Sequence, residues 1–204
     1  NANSLKNSHV IIFDIHSEYQ SAFKLAEEEH FNLNCLDVEK LCLPYWLMNS
    51  QELEALFIES NEMNSHNQIS QFKKAVILSK EKHNPSMEHI NYDTPVYFDI
   101  WEVYRYIKNK NSEVINKNET LPHLPKRSDG TIINDAENVY LSEDVSFAAT
   151  STAKDSKASN GPYNGEFERF VTRLETKLSD KRLKFITTPK KENGEAFKTE
   201  DFDV

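Results

Sequence analysis

An α/β fold, with a few short parallel strands and a mainly helical insertion, is predicted by three observations. The run Val10-Ile11-Ile12-Phe13 is apolar at every position, as in a strand buried on both faces of a parallel sheet. Between Asn49 and Lys110, successive stretches repeat apolar residues at helical spacing. A long polar stretch from Asn111 to Gly165 then breaks the pattern before one more amphipathic helix.

Taken in order, the opening reads as β-α-β. The strand Val10–Phe13 is followed by a helix from about Ser21 to His30, with Ala22, Leu25 and Ala26 on one face, and by a second strand over Leu33–Val38. Pro44 halts regular structure, and Tyr45-Trp46-Leu47-Met48 forms an apolar knot. Asn49 and Glu52 have capping-box spacing and open a helix to about Ser60 with Leu53, Leu56 and Phe57 inward. The longest helical pattern runs from Asn64 to Lys82, with Ile69, Phe72, Val76 and Ile77 on one stripe. Pro85 and Pro95 bracket a turn; Asp99, with Glu102 at the third position, then caps a helix to about Lys110 whose Val103, Tyr106 and Ile107 face the core.

The stretch from Asn111 to Gly165 is too long for an ordinary connection. It reads as a mobile insertion with at most a hairpin around Asp129-Gly130, flanked by Ile132, Ile133, Val139, Tyr140 and Leu141. A helix from Gly165 to Ser179 carries Phe167, Phe170, Val171, Leu174 and Leu178, Leu183–Ile186 reads as a strand, and the tail after Thr187 is expected to fray. The chain so divides into 1–43 (sheet core), 44–110 (helical insertion), 111–165 (flexible insertion) and 166–204 (helix, strand and tail).

Composition bounds the partners. The 204 residues suffice for one modest core, with a net charge of -9 from 33 acidic and 24 basic residues. A mean hydropathy of -0.68 adds the expectation of solvated segments. The acidic balance argues against this chain alone gripping nucleic acid, which needs clustered Lys and Arg. Cys35 and Cys42 lack zinc-ligand spacing and read as reduced thiols of a cytoplasmic protein. No apolar run approaches the ~18 residues of a membrane span, so no membrane contact is expected. With Asn1-Ala2 in place of an initiator Met, the chain reads as an excised piece of a longer protein.

The most informative cluster follows the first strand: Asp14, His16, Glu18 and Tyr19. Ligands of open α/β sheets sit beyond the carboxyl ends of strands, where an acid can approach a metal-bound phosphate. Alternation places Asp14, His16 and Glu18 on one side of an extended chain, where they are either a ligand-facing set or solvated polar residues at a strand end. Tyr45, Trp46 and Phe57 offer either core packing or a stacking platform. Asp180 with Arg182 reads as a surface turn pair or as a contact to a neighbouring subunit's phosphate; Lys73, Lys74, Lys80 and Lys82 form a mildly basic face.

His9-Val10-Ile11-Ile12-Phe13-Asp14-Ile15-His16-Ser17-Glu18-Tyr19 resembles the strand of HerA-type ATPases that reads apolar run, Asp, any residue, His, Gly, Glu, Tyr. Three later segments resemble the same family in the same order. Leu43-Pro44-Tyr45-Trp46-Leu47-Met48-Asn49-Ser50-Gln51-Glu52-Leu53 is similar to the opening of its helical insertion, Tyr92-Asp93-Thr94-Pro95-Val96-Tyr97-Phe98-Asp99 to its "DSPVPF" turn, and Phe167 to Phe185 to its "RL … L-x-D-x-R-Y-x-F" segment. Ser17 departs from the family Gly, and Leu183 from the family Tyr.

The resemblance implies part of a RecA-like P-loop core from a hexameric ATP-dependent DNA translocase or helicase. It also implies ATP and Mg2+ as cofactors, double-stranded DNA as a partner, and a nuclease or defence effector as a possible companion. Asp14 and Glu18 would then act in catalysis in the full-length parent, with Asp14, His16 and Glu18 facing the nucleotide. The sequence holds no GxxxxGK[ST] and no second apolar strand ending in Asp-Glu. The Walker A and Walker B parts are therefore expected outside it, and the chain alone is expected to be catalytically silent. Two other readings stand beside this one: a helical interaction module without chemistry, and a small metal-dependent hydrolase using Asp14, His16 and Glu18.

Overall fold

In the computed structural model, which describes residues 9–14, 16, 18–24, 32–36, 41–59, 61–62, 64–191 and 193–202, the chain divides into two units, Asn1–Leu41 and Cys42–Val204. The architecture is mixed α/β and mostly helical, as the sequence predicts.

Of the first unit, helix α1 (Tyr19–Lys24) is the regular element among the described residues. Leu25, Ala26 and Val38 of the expected helix and second strand lie outside them. Val10–Phe13 belongs to neither a helix nor a strand, and Phe13 is 90% exposed. A strand apolar on both faces needs a neighbour on each edge and a cover on each side. Among the described residues nothing supplies these, so the run stands open rather than in the expected parallel sheet.

The second unit is built around one central helix, Ile100–Ser112. Its helices are α2 (Ser50–Phe57), α3 (Ser65–His83), α4 (Ile100–Ser112), α5 (Ala136–Ser142), α6 (Glu168–Ser179) and α7 (Lys184–Thr187). Helix α4 packs against α3, α5 and α6, while α3 also meets α5 and α2 meets α6. The Asn49–Glu52 capping box forms with both bonds, 3.0 and 2.9 Å, and buries Leu53 and Phe57. On α3, Phe72, Ala75 and Val76 are buried, with Ile69 and Ile77 packed at the edge of the same core. On α6, Phe170, Leu174 and Leu178 are buried, and Phe72 meets Phe170 with ring centroids 6.1 Å apart.

Further expectations are corrected. The stretch from Asn111 to Gly165 carries defined structure: β1 (Val114–Asn116) pairs antiparallel with β2 (Ala158–Asn160), and α5 adds Tyr140 and Leu141 to the core. The expected turn at Asp129-Gly130 is present, with Gly130 at φ +92°, a backbone angle that favours glycine. What orders this polar stretch is polar burial. Asn116 is fully buried, and its Nδ2 donates to the carbonyls of Asn118, Leu121 and Pro122. Leu183–Ile186 is helical rather than a strand, because the Asp180 carboxylate accepts from Arg182 N at 2.9 Å and starts a 3-10 turn (Lys181–Leu183) that runs into α7.

Tail residues up to Phe202 also pack on the body: Phe202 meets Trp46 at 5.1 Å between ring centroids. Leu43 N donates to Phe185 O at 2.9 Å, which holds the start of this unit beside α7. No helix among the described residues is long and apolar enough to cross a membrane.

Phe72 is fully buried between Phe57 and Phe170. Phe72→Ala is therefore expected to cost about 3–5 kcal/mol in urea unfolding followed by far-UV circular dichroism. A loss below about 1 kcal/mol would show that the core is not packed through this ring.

Candidate functional site

Asp14 closes on the start of α1. Its Oδ1 accepts from Glu18 N at 3.2 Å and its Oδ2 from Tyr19 N at 3.0 Å, setting a negative charge against the helix N-terminus. Ser21 Oγ donates to Glu18 O at 3.4 Å. The side chains of His16 and Glu18 are exposed. Among the described residues no group of three or more His, Cys, Asp or Glu comes together, so Asp14, His16 and Glu18 are not gathered into a ligand set. Ser17 lies outside the described residues. Each Asp14 oxygen uses one lone pair on backbone and keeps another, so the carboxylate can still face a hard cation or a water.

The second unit places the other sequence candidates in structural roles. Tyr45, Trp46 and Phe57 are buried as packing residues. Asp180 and Arg182 pair within one turn, with the Arg182 side chain 88% exposed. The expected basic face is dispersed: Lys80 is fully buried, Lys82 pairs with Glu102, Lys74 pairs with Glu137, and Lys73 lies over the Tyr92 ring. Cys35 and Cys42 are free thiols, and burial pushes the Cys42 thiol up.

Three of the segments singled out in the sequence converge on one junction. The Tyr45 hydroxyl donates to Phe98 O at 2.6 Å and accepts from Ile100 N at 3.2 Å. Ser50 N donates to Asp93 Oδ1 at 2.6 Å, and Leu43 meets Phe185 through their backbones. Lys80 Nζ donates to the carbonyls of Tyr92 and Thr94, each at 2.6 Å, beneath the turn. Burial pushes the Lys80 amine down to about 8.

Sequence reasoning missed a polar seam along α4. Glu102, Tyr106, Asn109 and Glu113 recur at helical spacing, and all are buried. Ser79 Oγ donates to Glu102 at 2.7 Å and Lys82 Nζ at 2.5 Å, with His83 Nε2 at 3.1 Å. Instead of turning back to cap its own helix, Glu102 reaches α3, and Asp99 N donates to Ser79 Oγ at 3.1 Å. Burial raises the Glu102 carboxyl, but hydrogen bonds from Lys82 and Ser79 with the His83 and Lys82 charges outweigh it and hold it below the usual glutamate range. Glu113 accepts from Lys110 Nζ at 2.7 Å and from the Tyr140 hydroxyl at 2.9 Å. Gly161 lies against it so closely that a Cβ would meet Glu113 Oε2 at 2.6 Å. The signal available was a charged or amide residue repeating at core-facing positions of one helix.

An open cleft lined by Glu59, Glu62, Glu168, Arg169, Thr172 and Arg173 has its main charges paired: Arg173 reaches Glu62 at 2.8 Å and Glu59 at 3.4 Å. Nothing in its lining arranges a nucleophile beside a base. No curated protein matches the chain. A family model described as the central domain of helicase HerA matches residues 1–195.

Glu102→Gln is expected to cost about 1–3 kcal/mol at pH 7, because it removes a charged partner from a buried network. A carboxyl whose folded pKa is depressed contributes stability that is fully present above the unfolded value, about 4.3, and lost as pH falls through the folded value. The gap between wild type and variant should then narrow below about pH 4. Urea melts at pH 7 and pH 3 check this, and an equal gap at both would sink the account of Glu102.

Proposed function

We propose that this chain is a segment of an ATP-dependent DNA translocase or helicase, because it belongs to the HerA helicase central-domain family. The observation that carries the reading is the family match across nearly the whole chain. Its support from within the chain is that segments far apart in sequence, and chosen for their resemblance, meet at Leu43, Tyr45, Phe98 and Phe185.

On this reading the parent assembles as a homo-hexamer on double-stranded DNA in the cytoplasm, alongside a nuclease or another effector. Mg2+ and ATP supply the phosphoryl chemistry when bound. Asp14 fits a supporting place beside such a group, since its oxygens are hard donors held by backbone at a helix start. Glu18 would add a second carboxylate and His16 an imidazole from the same stretch of chain. A phosphate cradle needs a Gly-rich loop with its Lys, which no residue run of this sequence provides, so the chain alone does not turn over ATP.

The test is ATP turnover, with and without double-stranded DNA, by a polypeptide that joins this chain to a GxxxxGK[ST] loop from its own gene. DNA-stimulated turnover is expected, reduced roughly tenfold or more by Asp14→Asn, which is ~1.4 kcal/mol in the barrier. A folded hexamer without DNA-stimulated turnover would reject the reading. Turnover unaffected by Asp14→Asn would remove Asp14 from the site.

A further inference from the structure

The tail was expected to fray, yet it carries an organised set of contacts. Lys191 N donates to Glu195 O and Gly194 N to Lys191 O, making a tight reversal at Gly194, and Lys190 bridges Ala196 across it. Lys191 Nζ pairs with Asp201 at 2.5 Å, and Lys198 N donates to Asp201 Oδ2 at 2.7 Å. The folded-back tail then touches the body at two places. Thr199 Oγ1 accepts from Tyr97 N at 2.9 Å and donates to Asn84 Oδ1 at 3.2 Å, while Asn84 Nδ2 holds the carbonyls of Lys80 and Tyr97. Phe202, backed by Phe197, stands edge-on to Trp46.

We propose that residues 189–191 and 193–202 form a latch that closes over Trp46 and opens reversibly while the helical body stays folded. The basis is an asymmetry of burial. Past Thr187 no described residue is fully buried; Phe197, Thr199 and Phe202 are half-covered. The body retains its own core of Phe57, Phe72, Tyr106, Phe170 and Leu174 without any of them. Segments with few buried contacts open at lower cost than the core they lie on. What the latch guards is Trp46, 1% exposed when it is closed. Leu43 and Phe185, hydrogen-bonded to each other, lie just before Trp46 and just before the tail.

The two tryptophans of the chain make this measurable. Trp101 is 36% exposed, so Trp101→Phe leaves Trp46 as the sole reporter. In that background, acrylamide quenching of Trp46 is expected to rise several-fold with Phe202→Ala, and less with Thr199→Val, at unchanged helical circular dichroism. A urea titration of the Trp101→Phe protein with an intact tail guards against a variant that fails to fold. Trp46 should become quenchable at lower urea than that which melts the helices. Coincident transitions, or a Phe202→Ala protein whose Trp46 stays as protected as before, would overturn the proposal.

Discussion

The second unit depends on the satisfaction of two buried carboxylates on its central helix. An ionised carboxylate away from water is costly unless it is paired and hydrogen-bonded. Glu102 is met by Ser79, Lys82 and His83, and Glu113 by Lys110 and Tyr140. The first set ties α4 to α3; the second ties the end of α4 to α5 and to the β1–β2 ribbon that Gly161 closes against it. Hydrophobic burial brings the helices together, but these charges fix which faces meet.

The same physics separates what the sequence displayed from what it hid. Helix α2 was legible to the residue at its start, since Asn49 and Glu52 cap reciprocally through purely local bonds. Helices α3 and α6 were legible because their apolar stripes are continuous. The stretch from Asn111 to Gly165 was not, because its order comes from buried polar bonds, Asn116 to nearby carbonyls and Asn109 and Glu113 to the distant Tyr140, and polarity alone reads as solvation. Leu183–Ile186 misled because four residues carry too little pattern to tell a strand from one helical turn, and the Asp180 cap decided the matter.

The candidate site divides in the same way. Asp14 stood out as the acid after an apolar run, and its carboxylate does close the start of a helix. Its relation to His16 and Glu18 was an inference from strand alternation, which applies only to an extended chain, whereas Tyr19 already begins α1. The segments that carry the family resemblance in the second unit prove to be joints: hydroxyl, amide and backbone groups at Tyr45, Asp93, Phe98 and Phe185 hold distant stretches together.

The backbone contact between Leu43 and Phe185 has an evolutionary corollary. A span of polypeptide whose two ends touch can be enlarged, trimmed or exchanged for another span, because the stretches on either side keep their spacing whatever lies between. The span from Leu43 to Phe185 is in that sense closed at its base by one backbone hydrogen bond.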